Sequence, residues 1–260
     1  MRNKSILIIF LIVLAAAVPV TAQSAKGMSL NGATGLITIP SARIGWEKSS
    51  DFGVDAGYHA IMDDPDTTHI SKVSVSMFNI VEAAAAYDSQ VDSDNSDILF
   101  NLKAQLPVKS SSAVAVGMNY QSLKRFDQDE TATQVYLATT YPGTFFKMPA
   151  ETTVVVGKTF GDIAVDENID FGMGFDLLLF PETFKNYIHW INDFSNFSYS
   201  LDAFGADANY RGAFNTGIRI DMASIPSLSK FKFVIDAIVT DALDENRAFA
   251  LGGTFGTPIK

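Results

Sequence analysis

The chain has 260 residues, is 47% hydrophobic and 12% aromatic, and carries 29 acidic against 19 basic residues for a formal charge of −10. That balance argues against a nucleic-acid partner, because phosphate binding needs clustered Lys and Arg. The absence of cysteine excludes a disulfide framework and the lipid-bearing cysteine of a bacterial lipoprotein.

In chain order, residues 1–22 have the composition of a cleaved secretory signal peptide. Arg2 and Lys4 form the charged start, Ile6 to Val18 the apolar run, and Val20-Thr21-Ala22 a small-residue cleavage site, with Ala25 as the alternative point. The apolar run is only about thirteen residues, too short to span as an anchor. Removing it leaves 17 basic and 29 acidic residues, a net of −12. No later apolar run reaches the ~18 residues of a transmembrane helix, so any membrane entry requires a closed barrel.

Residues 23–50 form a separate N-terminal segment. In Asn31 to Gly45, Gly32 and Gly35 permit positive φ, Leu36-Ile37-Thr38-Ile39 is a short β-favouring run, and Pro40 places that run at a sheet edge or ends it. Arg43, beyond the proline, can fold beneath or into a barrel mouth. The segment is therefore expected as a plug or as a periplasmic edge strand. Its motif, Gly-Ala-Thr-Gly-Leu followed by three residues and Pro-Ser-Ala at Gly32 to Ala42, resembles the N-terminal motif of the YjbH-like outer-membrane proteins and of short spirochaete-type outer-membrane proteins that share it. A second stretch, Arg211 to Ile220, is similar to a strand those families place late in the chain. The resemblance implies an outer-membrane barrel with a link to exopolysaccharide. Many members of that group are lipoproteins, which a chain without cysteine cannot be.

Residues 51–260 fall into period-two segments, the mark of strands with one apolar face. Phe52, Val54, Ala56 and Tyr58 oppose Gly53, Asp55, Gly57 and His59; Val73, Val75 and Met77 oppose Lys72, Ser74 and Ser76; Val81, Ala83 and Ala85 oppose Glu82, Ala84 and Ala86. Ile98, Phe100 and Leu102 then face away from Asn101, Lys103 and Gln105, and Val114, Val116 and Met118 from Ala115, Gly117 and Asn119. Val135, Leu137, Thr139 and Tyr141 form a sixth segment. Thr152 to Phe160 is a seventh and Tyr187 to Phe194 a ninth, neither with an assignable face. Between them Phe171, Met173 and Phe175 oppose Asp170, Gly172, Gly174 and Asp176. The last three set Phe214, Ile218 and Ile220 against Asn215, Arg219 and Asp221, Phe233 and Ile235 against Lys232 and Asp236, and Phe249, Leu251 and Phe255 against Ala250, Gly252 and Thr254.

The connections alternate between two kinds. Six are acidic: Asp63 to Asp66, Asp88 to Asp97, Lys124 to Glu130, Asp162 to Glu167, Asp193 to Asp207 and Asp241 to Glu245, which together hold 19 of the 29 acidic residues. Five are short or proline-marked: Asn79-Ile80, Pro107 to Ser112, Pro142 to Glu151, Pro181 to Asn186 and Ser224 to Lys230, four of them with a lysine. Strict alternation implies an all-β fold: an antiparallel transmembrane β-barrel of about twelve strands with both termini at the proline end, tight periplasmic turns and longer outer loops. Tyr58, Tyr87 and Tyr120 at one end and Phe52, Tyr141, Phe231 and Phe255 at the other would form the interfacial girdles. The chain ends Phe255-Gly-Thr-Pro-Ile-Lys260 rather than on the aromatic residue that barrel-assembly machinery usually reads, which leaves Phe249, Leu251 and Phe255 as the internal equivalent.

No arrangement points to catalysis, a cofactor or a dedicated metal site. Gly157-Lys158-Thr159 lacks the leading glycine of a phosphate loop, and Asp92 to Asp97 lacks the glycine and glutamate of a calcium loop. His59 and His69 flank the first acidic connection and could approach one another and Asp63, yet no nucleophile motif accompanies them. The inward charges Asp55, Glu82, Lys103, Asp170, Asp176, Arg219, Asp221, Lys232 and Asp236 carry both signs, so they either line a small polar pore or pair across a filled lumen. The expected protein is an exported outer-membrane barrel, structural or narrow pore-forming, with membrane lipid and the barrel-assembly machinery as partners. The alternatives are a surface-binding protein whose acidic loops take polysaccharide or divalent cations, and a soluble periplasmic β-sandwich.

Overall fold

The structure, a computed structural model, describes residues 27–47, 50–63, 66–91, 95–108, 110–125, 128–162, 169–196, 212–225, 228, 230–245 and 247–259. The expected signal peptide, Arg211 and residues 92–94 of the calcium-like loop lie outside them. Twelve strands run β1 (Phe52–Asp63), β2 (Asp66–Met77), β3 (Val81–Gln90), β4 (Ser96–Leu106), β5 (Ala113–Arg125), β6 (Gln128–Phe145), β7 (Met148–Gly161), β8 (Asp170–Leu178), β9 (Ile188–Ser195), β10 (Ala213–Asp221), β11 (Lys232–Thr240) and β12 (Ala248–Ile259). A one-turn helix α1 (Pro181–Phe184) precedes β9, and a 3-10 turn (Met222–Ser224) follows β10. Every strand is antiparallel to its sequence neighbours, and β1 pairs with β12 from Phe52 opposite Ile259 to Met62 opposite Phe249, which closes the barrel.

The period-two pattern sorts residues between two environments. On β4, Asp97, Leu99, Asn101 and Lys103 are buried while Ile98, Phe100 and Leu102 are exposed. The same phase exposes Val116 and Met118 on β5, Val135 and Leu137 on β6, and Leu251 and Phe255 on β12. Apolar side chains thus cover the outside, and Asp55, Glu82, Lys103 and Asp236, each 0% exposed, lie inside. In water this distribution would leave the apolar face hydrated while the charges are desolvated; in lipid it is the favourable one, and closure leaves no unpaired sheet edge. The soluble sandwich is excluded by the same two facts.

Several local expectations need correction. Lys124 to Glu130 is not a long loop, because β5 extends to Arg125 and β6 starts at Gln128. Pro142 to Glu151 is likewise mostly strand: Pro142 pairs in register with Glu151, and the turn is only Phe146-Lys147, both with positive φ. Asp193 belongs to β9, not to a connection. The two segments without an assigned face are resolved by register: Glu151, Thr153 and Val155 on β7 and His189, Ile191 and Asp193 on β9 are buried on the inner phase. His59 points inward, whereas His69, opposite Ala60, points outward and bonds the Tyr58 hydroxyl, so the two histidines sit on opposite faces.

Candidate functional site

Residues 27–46 are buried without exception, and the segment is hydrogen-bonded to wall residues on β1 to β4, β6, β7, β9, β10 and β12. The segment makes no ladder. It folds as a knot of bends with bridges between Met28 and Thr34 and between Gly35 and Pro40, closed by Leu30 N–H to Ile37 O at 2.8 Å and Leu36 N–H to Ile39 O at 3.1 Å. Leu36 to Ile39 is therefore not the short edge strand its β-branched residues suggest. Its donors go elsewhere: Asp193 Oδ2 accepts the N–H groups of Ile37, Thr38 and Ile39 at 2.9, 2.7 and 3.2 Å. Three consecutive amides converging on one carboxylate form an anion nest.

The other wall charges also address the segment's backbone. Glu82 on β3 accepts from Thr34 N–H and hydroxyl, both at 2.7 Å, and from Gly45 N–H at 2.9 Å. Lys103 on β4 lies 3.1 Å from Glu82 and donates to the Thr34 and Ser41 carbonyls at 3.1 Å each. Arg219 on β10 grips Asp236 on β11 with Nε and Nη2, at 2.8 and 3.2 Å, and donates onward to the Gly35 and Leu36 carbonyls. Lys72 on β2 donates to Ser29 O at 2.8 Å and to His59 Nδ1 at 2.9 Å. The other ring nitrogen of His59, Nε2, faces Asp236 at 3.3 Å. Arg43, the one charged side chain in residues 27–46, reaches the Ser111 carbonyl and Glu151 on β7 at 2.7 and 2.8 Å.

Apolar packing completes the fill. Leu30, Leu36, Ile37, Ile39 and Ala42 share one buried cluster with wall residues such as Ile70, Leu99, Tyr136, Val155 and Ile191. A Cβ at Gly174 would come within 2.7 Å of the Leu36 side chain and 2.2 Å of the Asn192 carbonyl, so this wall position must stay glycine. In the motif, Gly32 has φ +92° as expected, but Gly35 does not have positive φ; it is glycine because a Cβ would lie 2.4 Å from the Ile39 carbonyl oxygen. At the turn end Trp46 donates to Asp55 at 2.9 Å and lies under Lys232, whose Nζ also bonds Asp55 at 2.6 Å.

The remaining inward candidates stand apart from the segment. Asp170 joins a polar belt across five strands, in which Asn101 bonds Asn119, Asn119 donates to Gln134 at 3.1 Å, and Gln134 and Thr159 donate to Asp170 at 2.7 and 2.6 Å. Asp176 holds His189 at 2.6 Å, and Asp221 caps the 3-10 turn through Ala223 N–H. Gly157-Lys158-Thr159 is plain β7 strand. Among the described residues no group of three metal-ligating side chains converges. Sequence alone did not single out Asp193, Lys72, Glu151 or Trp46; the signal that could have found Lys72 is its place on the inward phase of β2, whereas Glu151 adjoins a segment whose face the sequence does not assign.

A closed twelve-stranded antiparallel barrel with an apolar exterior and charged interior defines the chain as an outer-membrane β-barrel of porin-like fold. Among solved structures it is similar to the KdgM porin in complex with disordered oligogalacturonate, with a TM-score of 0.52 at 7% identity over 77% of this chain and 98% of that one. It is also similar to the KdgM porin alone, at 0.51 and 6% over 79% and 99%, and to the NanC porin, at 0.50 and 12% over 80% and 100%. At these identities the likeness is one of fold. No protein-family model matches the chain, and no curated protein matches it in sequence.

Proposed function

We propose that this is a non-catalytic, YjbH-like outer-membrane barrel whose narrow pore is closed at rest by its own N-terminal segment, and that it serves in exopolysaccharide handling. The observation that carries the closure is the ring of wall residues Lys72, Glu82, Lys103, Glu151, Asp193 and Arg219, from six strands, that bond the segment. The motif at Gly32 to Ala42 supports the family and the polysaccharide link, and the oligogalacturonate in the KdgM porin supports a saccharide as the ligand class. With acidic residues gathered in the outer connections, the favoured saccharide is neutral or bridged by divalent cations.

The test is conductance of the purified mature chain in planar bilayers beside a variant lacking residues 27–46. The full chain is expected to conduct little and the deletion variant to form stable channels. Equal conductance in both would overturn the closure, and no conductance from a deletion variant that still shows a compact, heat-modifiable gel band would leave a purely structural barrel.

A further inference from the structure

The end of the barrel opposite the acidic connections carries an unusual set of turns. Two-residue hairpin turns with both φ values positive favour Asn and Gly, since a side chain there crowds the backbone. Here Phe146-Lys147 takes that position with φ 46° and 67°; in the three-residue connection Phe78-Asn79-Ile80 the first two residues have φ 55° and 57°, and Phe180, ahead of α1, has φ 39°. All three phenylalanines are exposed, Phe146 to 81%. Local conformation does not select phenylalanine at such sites, so their surroundings must account for it.

Two observations identify those surroundings. The turn aromatics extend the lipid-facing surface in two groups: Phe78 packs on Phe52 at 4.7 Å, and Phe146 on Phe145 at 4.4 Å, from which contact passes to Phe175 at 6.0 Å and on to Trp190 at 5.4 Å. Two of the three turns, those of Phe146 and Phe180, also carry a lysine, whereas Asn79 of the third donates to Asp51 at 3.0 Å. Outside the strands, the connections at this end hold Lys109, Lys147, Lys185 and Lys230 against one acidic residue, Glu182, since Glu151 is a buried residue of β7, although the chain as a whole is strongly acidic. Lys147, Lys185 and Lys230 are exposed, each next to an exposed phenylalanine, Phe146, Phe184 and Phe231. Aromatic rings at headgroup depth with ammonium groups just beyond them match the chemistry of a membrane interface bearing phosphate.

We propose that the periplasmic turns form a phenylalanine–lysine collar that sits within the headgroup layer and binds anionic phospholipid. The proposal does not depend on the closure of the lumen. Its test is tryptophan fluorescence of the full mature chain carrying Phe146→Trp, read as the difference from the parent chain, in phosphatidylcholine vesicles containing chain-brominated phosphatidylglycerol or, separately, chain-brominated phosphatidylcholine. The expected result is a blue-shifted residue 146 signal quenched more strongly by the brominated phosphatidylglycerol. The excess quenching is lost in the K147E/K185E/K230E background, whose compact gel band shows that it still folds. A red-shifted signal, quenched by aqueous iodide and not by either lipid, would overturn the proposal and assign the collar to a protein partner. Equal quenching by the two lipids, unchanged in the triple variant, would overturn the anionic preference.

Discussion

Thr38 gives Asp193 two hydrogen bonds, its backbone N–H at 2.7 Å and its hydroxyl at 3.1 Å, across 155 positions of sequence. The carboxylate is fully desolvated and also takes the amides of Ile37 and Ile39, so it fixes the bend at the tip of the lumenal segment. Asp193→Asn keeps the shape but removes the charge and turns one acceptor into a donor facing donors. The expected cost is roughly 3 kcal/mol, read as a lower temperature for conversion of the compact gel band and as raised conductance.

Arg219 serves Asp236 and two segment carbonyls at once. Arg219→Leu strands a buried carboxylate and should cost about 3–5 kcal/mol. The double variant R219L/D236L removes the stranded charge and should recover part of that loss. Recovery stays incomplete because the Gly35 and Leu36 carbonyls remain without their donor and the buried His59 ring loses its Asp236 partner. Thermal band-shift midpoints of the four chains in the cycle check both statements.

Two glycines separate steric need from chance. Gly35→Ala drives a methyl to 2.4 Å from the Ile39 oxygen, while a Cβ at Gly143 meets nothing within 4 Å. Gly35→Ala is expected to release the segment, seen as trypsin cleavage after Arg43 in the folded barrel. Gly143→Ala should leave the digestion pattern unchanged.

Leu102 and Lys103 are neighbours with opposite surroundings, one half exposed to lipid and the other sealed at 0% exposure. Leu102→Arg places a charge on the lipid face near the middle of β4, at a cost of about 2–4 kcal/mol. Refolding yield into vesicles should fall accordingly, and a yield equal to the parent chain would contradict the outward assignment of this face.

The alternation of apolar and small or polar residues, together with acidic and lysine-bearing connections, determined the strand number, the closure into a barrel and the facing of most strands. These are properties of residues two apart or of adjacent strands, and such information is local. What the tertiary structure decided lies between distant positions. Leu36 to Ile39 reads as a strand because its side chains favour one, but its amides satisfy Asp193 instead of a ladder. Asp193 reads as a loop acid because it opens an acidic stretch, and only the β9–β10 register turns it inward. Period-two alternation tells which side of a wall a residue takes; what it meets there depends on a segment folded inside the barrel, and no local pattern encodes that meeting.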